Sequence, residues 1–226
     1  VDTKAFWRWK MMKGWRLIAL SFLGLVLVLA SGSAFTLALS DEDSGSTLMR
    51  WDIVAIDFKA LTVSSGGHAS ARANEGSRIT LTGSGTFLAT EDGSRFTAIA
   101  KSGGGTWQSF DMNGAPTGNG TYRVMKGPAV WRNAPGSPNT ALADLIGEID
   151  DQRGGLFVVE ISFDDGSRGS LVVSCHLPGA GQPTTPDTVF EGITVTKGFV
   201  DYWNREAPVP GVDADRTLFH VLRQSD

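Results

Sequence analysis

The pattern of hydrophobic and polar positions changes character at residue 41. No charged residue occurs from Leu17 through Ser40, and Leu17 to Ala30 reads LIALSFLGLVLVLA, a nearly unbroken apolar run. Twenty-four residues coiled as a helix rise about 36 Å, enough to cross a hydrocarbon core of about 30 Å. A single N-terminal transmembrane helix over 17–40 is therefore expected. A cleaved signal peptide is the competing reading, because Ala38 and Ser40 are small residues placed just before Asp41. The retained helix is the reading carried forward.

Beyond an acidic spacer at 41–47, short apolar runs alternate with glycine-, serine- and aspartate-rich turns. Strands are expected at Met49–Phe58, His68–Ala73, Arg78–Leu81, Thr86–Ala89, Arg95–Ala100, Thr106–Phe110 and Thr121–Val124. Further strands are expected at Leu156–Phe163, Ser170–His176, Ile193–Tyr202 and Leu218–Leu222. Three turns share one pattern: Glu75-Gly-Ser-Arg78, Asp92-Gly-Ser-Arg95 and Asp165-Gly-Ser-Arg168. An acidic residue followed by glycine suits a tight hairpin, since glycine accepts positive φ. Asn139–Glu148 is the one stretch of this part that reads as helix, while Asn113–Gly120 and Pro178–Pro186 read as loops. Strands without long crossover helices favour antiparallel pairing. The expected class is all-β: one transmembrane helix followed by an antiparallel β-barrel or β-sandwich. The expected organisation is 1–16 cytoplasmic or interfacial, 17–40 transmembrane, 41–47 spacer and 48–226 extracytoplasmic β domain.

Charge orients this arrangement. Lys10, Lys13 and Arg16 precede the apolar run, and Asp41, Glu42 and Asp43 follow it. The positive-inside rule then puts the N-terminus in the cytoplasm and the β domain outside it. Trp7, Trp9 and Trp15 join Lys10, Lys13 and Arg16 as membrane-interface residues, because indole rings favour the headgroup region. From residue 41 onward 15 basic residues face 23 acidic ones, which argues against nucleic acid as a partner.

Candidate chemistry is sparse. One cysteine, Cys175, excludes an intrachain disulfide. Cys175 and His176 are neighbours on an expected strand, so their side chains point to opposite faces and form no nucleophile–base pair. His68, His176 and His220 share no ligand spacing, and no metal site is expected. Asp150-Asp151 and Asp164-Asp165 read as solvated turn pairs. No catalytic residue is assigned; a barrel enzyme would need a cluster such as His68 with Asp57 or Glu160. The apolar run contains no histidine, so no cofactor is expected to be ligated there, and pigments or lipids would be contacted through partners. Gly24 permits close helix approach, and Trp131, Arg132, Tyr202, Trp203 and Arg205 are expected at a partner interface, where aromatic and arginine side chains dominate.

Through GGHASA (Gly66–Ala71), ITLTGSGTF (Ile79–Phe87), GGTW (Gly104–Trp107) and FEGITVTKG (Phe190–Gly198), the β domain resembles uncharacterised exported bacterial β domains, a resemblance that implies no activity. The whole-chain arrangement resembles accessory subunits of bacterial photosynthetic reaction-centre/light-harvesting complexes. It implies a non-catalytic scaffold in a bacterial inner membrane, with the β domain in the periplasm, whose partners are other integral membrane subunits and lipid. Two alternatives stand beside it: an anchored β-barrel that binds a small apolar ligand, and an extracytoplasmic barrel enzyme. An open apolar interior would mark the ligand carrier, and a filled core the scaffold.

Overall fold

Alternation between buried and half-exposed positions organises the strands. In Ser84–Thr90 every second residue (Gly85, Phe87, Ala89) is buried, as a sheet with one packed face requires. A computed structural model describes residues 45–90, 97–134, 136–178, 191–205 and 216–223. The expected transmembrane run lies outside the described residues, with Gly24 and the interfacial Trp7, Trp9, Lys10, Lys13, Trp15 and Arg16. The turn at Asp92–Arg95 lies outside them too. Among the described residues no helix is long and apolar enough to cross a membrane.

Fifteen strands are present among these residues: β1 (Ser46–Asp57), β2 (Thr62–Ser65), β3 (Ala69–Arg72), β4 (Arg78–Leu81), β5 (Ser84–Thr90), β6 (Thr97–Phe110), β7 (Pro116–Val124), β8 (Gly127–Ala134), β9 (Ala143–Asp144), β10 (Gln152–Phe163), β11 (Arg168–Cys175), β12 (Gly192–Lys197), β13 (Val200–Tyr202), β14 (Asn204–Arg205) and β15 (Thr217–Val221). They form one sheet in the order β13-β12-β11-β10-β15-β1-β5-β6-β4-β3-β14. Pairing along that path is antiparallel, and β7 and β8 both pair with β6 and with β10. The short β2–β9 ladder is parallel. The domain is thus all-β and dominated by antiparallel strands in a sandwich-like arrangement.

The core is aromatic and filled. Phe87 of β5 stacks on Phe157 of β10, with ring centroids 4.2 Å apart and planes 13° from parallel. Trp131 of β8 meets Phe219 of β15 edge-on at 4.7 Å and Phe87 at 5.3 Å. Trp51 of β1 is fully buried. Glycines make room for these rings. Gly85 sits opposite Trp51 in the ladder, where an added Cβ would lie 2.7 Å from the indole nitrogen. At Gly155 an added Cβ would collide with the Trp131 ring. A second cluster joins Trp107, Tyr122 and Phe163, with Trp107 and Phe163 edge-on at 5.8 Å. The Lys197 ammonium lies 4.2 Å from the Trp107 ring centroid and pairs with Asp165.

Several expectations change. Asn139–Glu148 is not helical: it holds turns and the two-residue β9, and a single 3-10 turn, Ile149–Asp151, follows it. Its Asp144 carboxylate accepts the Ile146 N–H at 2.9 Å, a side-chain bond that competes with a helix. The stretch Asn113–Gly120 is a loop only to Ala115, and β7 begins at Pro116. The run Ile193–Tyr202 is a hairpin of two strands, reversed at Gly198 with φ +60°. The run expected at 95–100 is described from Thr97, and that part belongs with the run at 106–110 to the single strand β6, which continues through Gly103–Gly105. The Glu75-Gly76 and Asp165-Gly166 turns do close hairpins, β3–β4 and β10–β11, with φ +96° and +86° at the glycines.

Candidate functional site

Period-two alternation gives β1 two unlike faces. Met49, Trp51 and Ile53 enter the core, so Asp52, Val54 and Ile56 lie on the opposite face. In the ladder Asp52 pairs with Leu218, and Arg50 with His220, so Leu218 and His220 share that second face. Gln152 of β10 pairs with His220 and continues it. The segment around Asn139–Gly147 lies against this face: the Asn139 N–H donates to Gln152 Oε1 at 2.9 Å, and an added Cβ at Gly147 would meet the His220 ring at 2.9 Å.

A cavity of about 700 Å³ opens beside it. Val54, Ile56, Val63, Leu142, Leu177 and Leu218 supply an apolar floor, and Phe58 lines it while remaining 71% exposed. The polar lining includes Gln152, His176, Glu191, Arg205, Arg216 and Thr217. The filled aromatic core is not where this space lies.

Glu191 organises the polar wall. It is buried, and its carboxylate bridges two strands: Oε2 accepts the His176 N–H at 2.6 Å, at the end of β11, and Oε1 accepts the Thr217 N–H at 2.6 Å, at the start of β15. Thr217 Oγ1 donates to the Ser174 carbonyl at 2.6 Å and lies 3.3 Å from Glu191 Oε1. Arg205 Nη1 donates to the Glu191 carbonyl at 2.7 Å. Burial pushes the Glu191 carboxyl up to about 7, against the pull of these hydrogen bonds and of the nearby Arg216 charge. A buried carboxyl so placed in a cleft is a mark of function more often than a solvated one.

Behind Gln152 lies a buried polar network. Gln152 Nε2 donates to Asp144 Oδ2 at 2.6 Å, and His220 Nε2 lies 2.8 Å from the same oxygen. Burial opposes the Asp144 charge, but the bonds from Gln152, His220 and the Ile146 N–H prevail and hold its carboxyl below the ordinary range. Arg50 clasps Asp52 through Nε and Nη2 at 2.7 and 2.8 Å. Burial nonetheless pushes the Asp52 carboxyl up, since Asp52 is wholly enclosed. His220 Nδ1 meets no partner among the described residues.

The residues singled out from sequence scatter. Trp131 and Tyr202 are buried, Trp131 in the aromatic core, while Trp203 is 64% exposed and donates from Nε1 to Asn74 at 3.4 Å. Arg132 is exposed on β8. Arg205 does reach the candidate site, through Glu191 rather than a flat interface. His68 is exposed; Asp57 caps the β1–β2 hairpin by accepting from the Lys59 and Ala60 N–H groups, and Glu160 faces Arg168 at 3.7 Å. The His68 cluster is thus not assembled. Cys175 is buried and His176 exposed, on opposite faces as the alternation requires. Burial, with the Glu191 charge, pushes the Cys175 thiol well up, which suits a core residue and not a nucleophile. Glu191, Gln152 and Asp144 carry no sequence motif. Glu191 sits in the FEGITVTKG stretch, where a lone glutamate beside glycine reads as a turn residue.

No protein-family model matches the chain, and no curated protein or solved structure matches it.

Proposed function

We propose that the β domain binds a small molecule with an apolar body in the cavity between β1, β15 and the end of β11. The observation that carries this reading is the union of a cavity of about 700 Å³, an apolar floor and a buried carboxyl wall. Ligand sites commonly measure about 300–1,000 Å³ and pair apolar linings with a few convergent polar groups. Read with the apolar run at 17–40, the domain is held at a bacterial inner membrane on the periplasmic side, where amphiphiles are at hand. A barrel closed through β13 and β14 is the architecture we favour. Its support is that β13 pairs with β12 and β14 with β3, with only Trp203 between the two strands in sequence. Such a barrel would be filled by its aromatic core and would bind on its outer wall.

The test uses the full chain in lipid nanodiscs and a diazirine-bearing hexadecanol. Light-induced labelling should fall on peptides containing Val54–Val63 and Leu142, be displaced by unlabelled hexadecanol, and drop in Ile56→Trp, which fills the floor. Labelling confined to the apolar run, or not displaced by hexadecanol, overturns the reading.

A second reading is the accessory subunit of a membrane complex. Its support is the set of large apolar side chains left in solvent, among them Phe58, Leu61, Met112, Leu145, Phe199 and Trp203. Co-migration of the detergent-extracted chain with larger membrane subunits supports it, and migration as a free 24.0 kDa chain in its detergent micelle refutes it.

A further inference from the structure

The two arginines of the cavity give the ligand a sign. We propose that the cavity takes a single-chain amphiphile with an anionic head, a long-chain carboxylate, its head held by Arg205 and Arg216 beside Glu191. This rests on the ligand-binding reading above.

Charge and geometry carry the assignment. Arg205 is held at the wall by the bond that Nη1 donates to the Glu191 carbonyl at 2.7 Å. A guanidinium has five N–H donors in a fork that matches a carboxylate. Arg216 adjoins Thr217 and acts electrostatically on both Glu191 and Cys175. Among the described residues, two cations line the cavity beside one acid, Glu191, which burial holds largely protonated below pH 7. The described lining thus carries an excess of positive charge, and a monoanion relieves it. The apolar floor suits an alkyl chain and gives a small hydrophilic anion nothing to bury.

Proton uptake follows from the same arrangement. The groups that face Glu191 are Cys175 and His176 from β11, Arg205 from β14, and Arg216 and Thr217 at β15. A second negative charge beside Glu191 disfavours its ionised form. An anion therefore binds best to the protonated site. With a carboxyl that titrates at about 7, the competent fraction falls about tenfold between pH 6 and pH 8, and so does the apparent affinity.

The experiment compares two diazirine probes of equal chain length, hexadecanoic acid and hexadecanol, on the full chain in nanodiscs. At pH 7 the acid should half-saturate the site at a concentration at least about tenfold lower, as expected for a charge-assisted bond. Arg216→Gln and Arg205→Gln should bring the two probes within about threefold of each other, and Arg216→Lys should restore part of the preference. Hexadecanesulfonate, which does not titrate, should compete about tenfold better at pH 6 than at pH 8, and Glu191→Gln should abolish that change. Equal labelling by acid and alcohol, or an acid preference that survives both arginine variants, overturns this inference and leaves the ligand-binding reading standing. Failure of both probes to label the cavity overturns both.

Discussion

Replacing Glu191 by glutamine should remove a defined piece of the pH dependence of folding. The carboxyl titrates at about 7 in the folded chain and has an ordinary value of 4.5. The folded state therefore keeps a proton that the unfolded state releases between those two values. The contribution is complete below pH 4.5, fades as pH rises through 7, and is gone above it. The loss amounts to about 3 kcal/mol, taking about 1.4 kcal/mol per pH unit. Glutamine cannot ionise, so the variant should lack this slope. Glutamine also cannot repeat both acceptor oxygens. One of the backbone N–H groups of His176 and Thr217, each now at 2.6 Å, would face an amide NH₂. That mismatch costs about 1–3 kcal/mol. At pH 5 the variant should thus be the less stable protein, and by pH 8 the gap should close or reverse. Urea denaturation of the full chain, stepped from pH 4.5 to pH 8, reads both effects. The acids held below their usual range, Asp57, Asp144, Asp164 and Asp165, titrate below this window, whereas Asp52, which burial pushes up, adds a slope of the same sign to both chains, so the difference between wild type and Glu191→Gln isolates Glu191. A wild-type stability that is level or rising from pH 5 to 7, or a Glu191→Gln chain with the same slope as wild type, would refute the reasoning.

Four other outcomes follow from the packing. Trp131→Ala should lower stability by about 3–5 kcal/mol, because it empties the ring site between Phe87 and Phe219; a surface anchor would lose almost nothing in the same denaturant titration. Gly85→Ala should destabilise by about 1–3 kcal/mol or more, since the new Cβ meets Trp51 and the Ser102 carbonyl; thermal melting checks it. In Lys197→Ala the Asp165 carboxyl should return from about 2 toward its ordinary range, followed by NMR titration. The depressed value gives stability above the ordinary carboxylate range that is lost as pH falls toward 2, and the half-exposed position keeps the effect on stability small. Cys175 should resist iodoacetamide at pH 8 in the folded chain and react at once in urea, whereas fast labelling of the folded chain would contradict its burial.

The strands were largely legible because one-sided burial writes a period of two into the sequence. Phe157, Val159, Ile161 and Phe163 alternate cleanly, and β10 lies where they indicate. The failures have physical causes. Leu142, Ala143 and Ile146 mimic a helical face, yet the Asp144 side chain captures the backbone N–H groups that a helix needs. β8 (Gly127–Ala134) escaped notice because its proline and glycine read as loop, and only the small Ala129 joins the buried Trp131 on its inward face. The hairpin at Gly198 hid because Val195, Val200 and Tyr202 have apolar character on both sides of the turn. The candidate site was illegible for another reason. Glu191, Arg205 and Thr217 come from three stretches of chain, and only the pairing of β11, β15 and β14 with their neighbours brings them to one wall. Trp203 and Arg205 lie only two residues apart, yet Trp203 is 64% exposed while Arg205 reaches back to the Glu191 carbonyl, a difference that no periodicity in the sequence marks.

Native mass spectrometry of the full chain, released gently from nanodiscs, tests the central claim most directly. The account predicts one small molecule per chain, retained at activation energies that strip loosely held lipid and absent from Ile56→Trp. A wild-type chain that leaves bare, or an adduct that persists in Ile56→Trp, would contradict it.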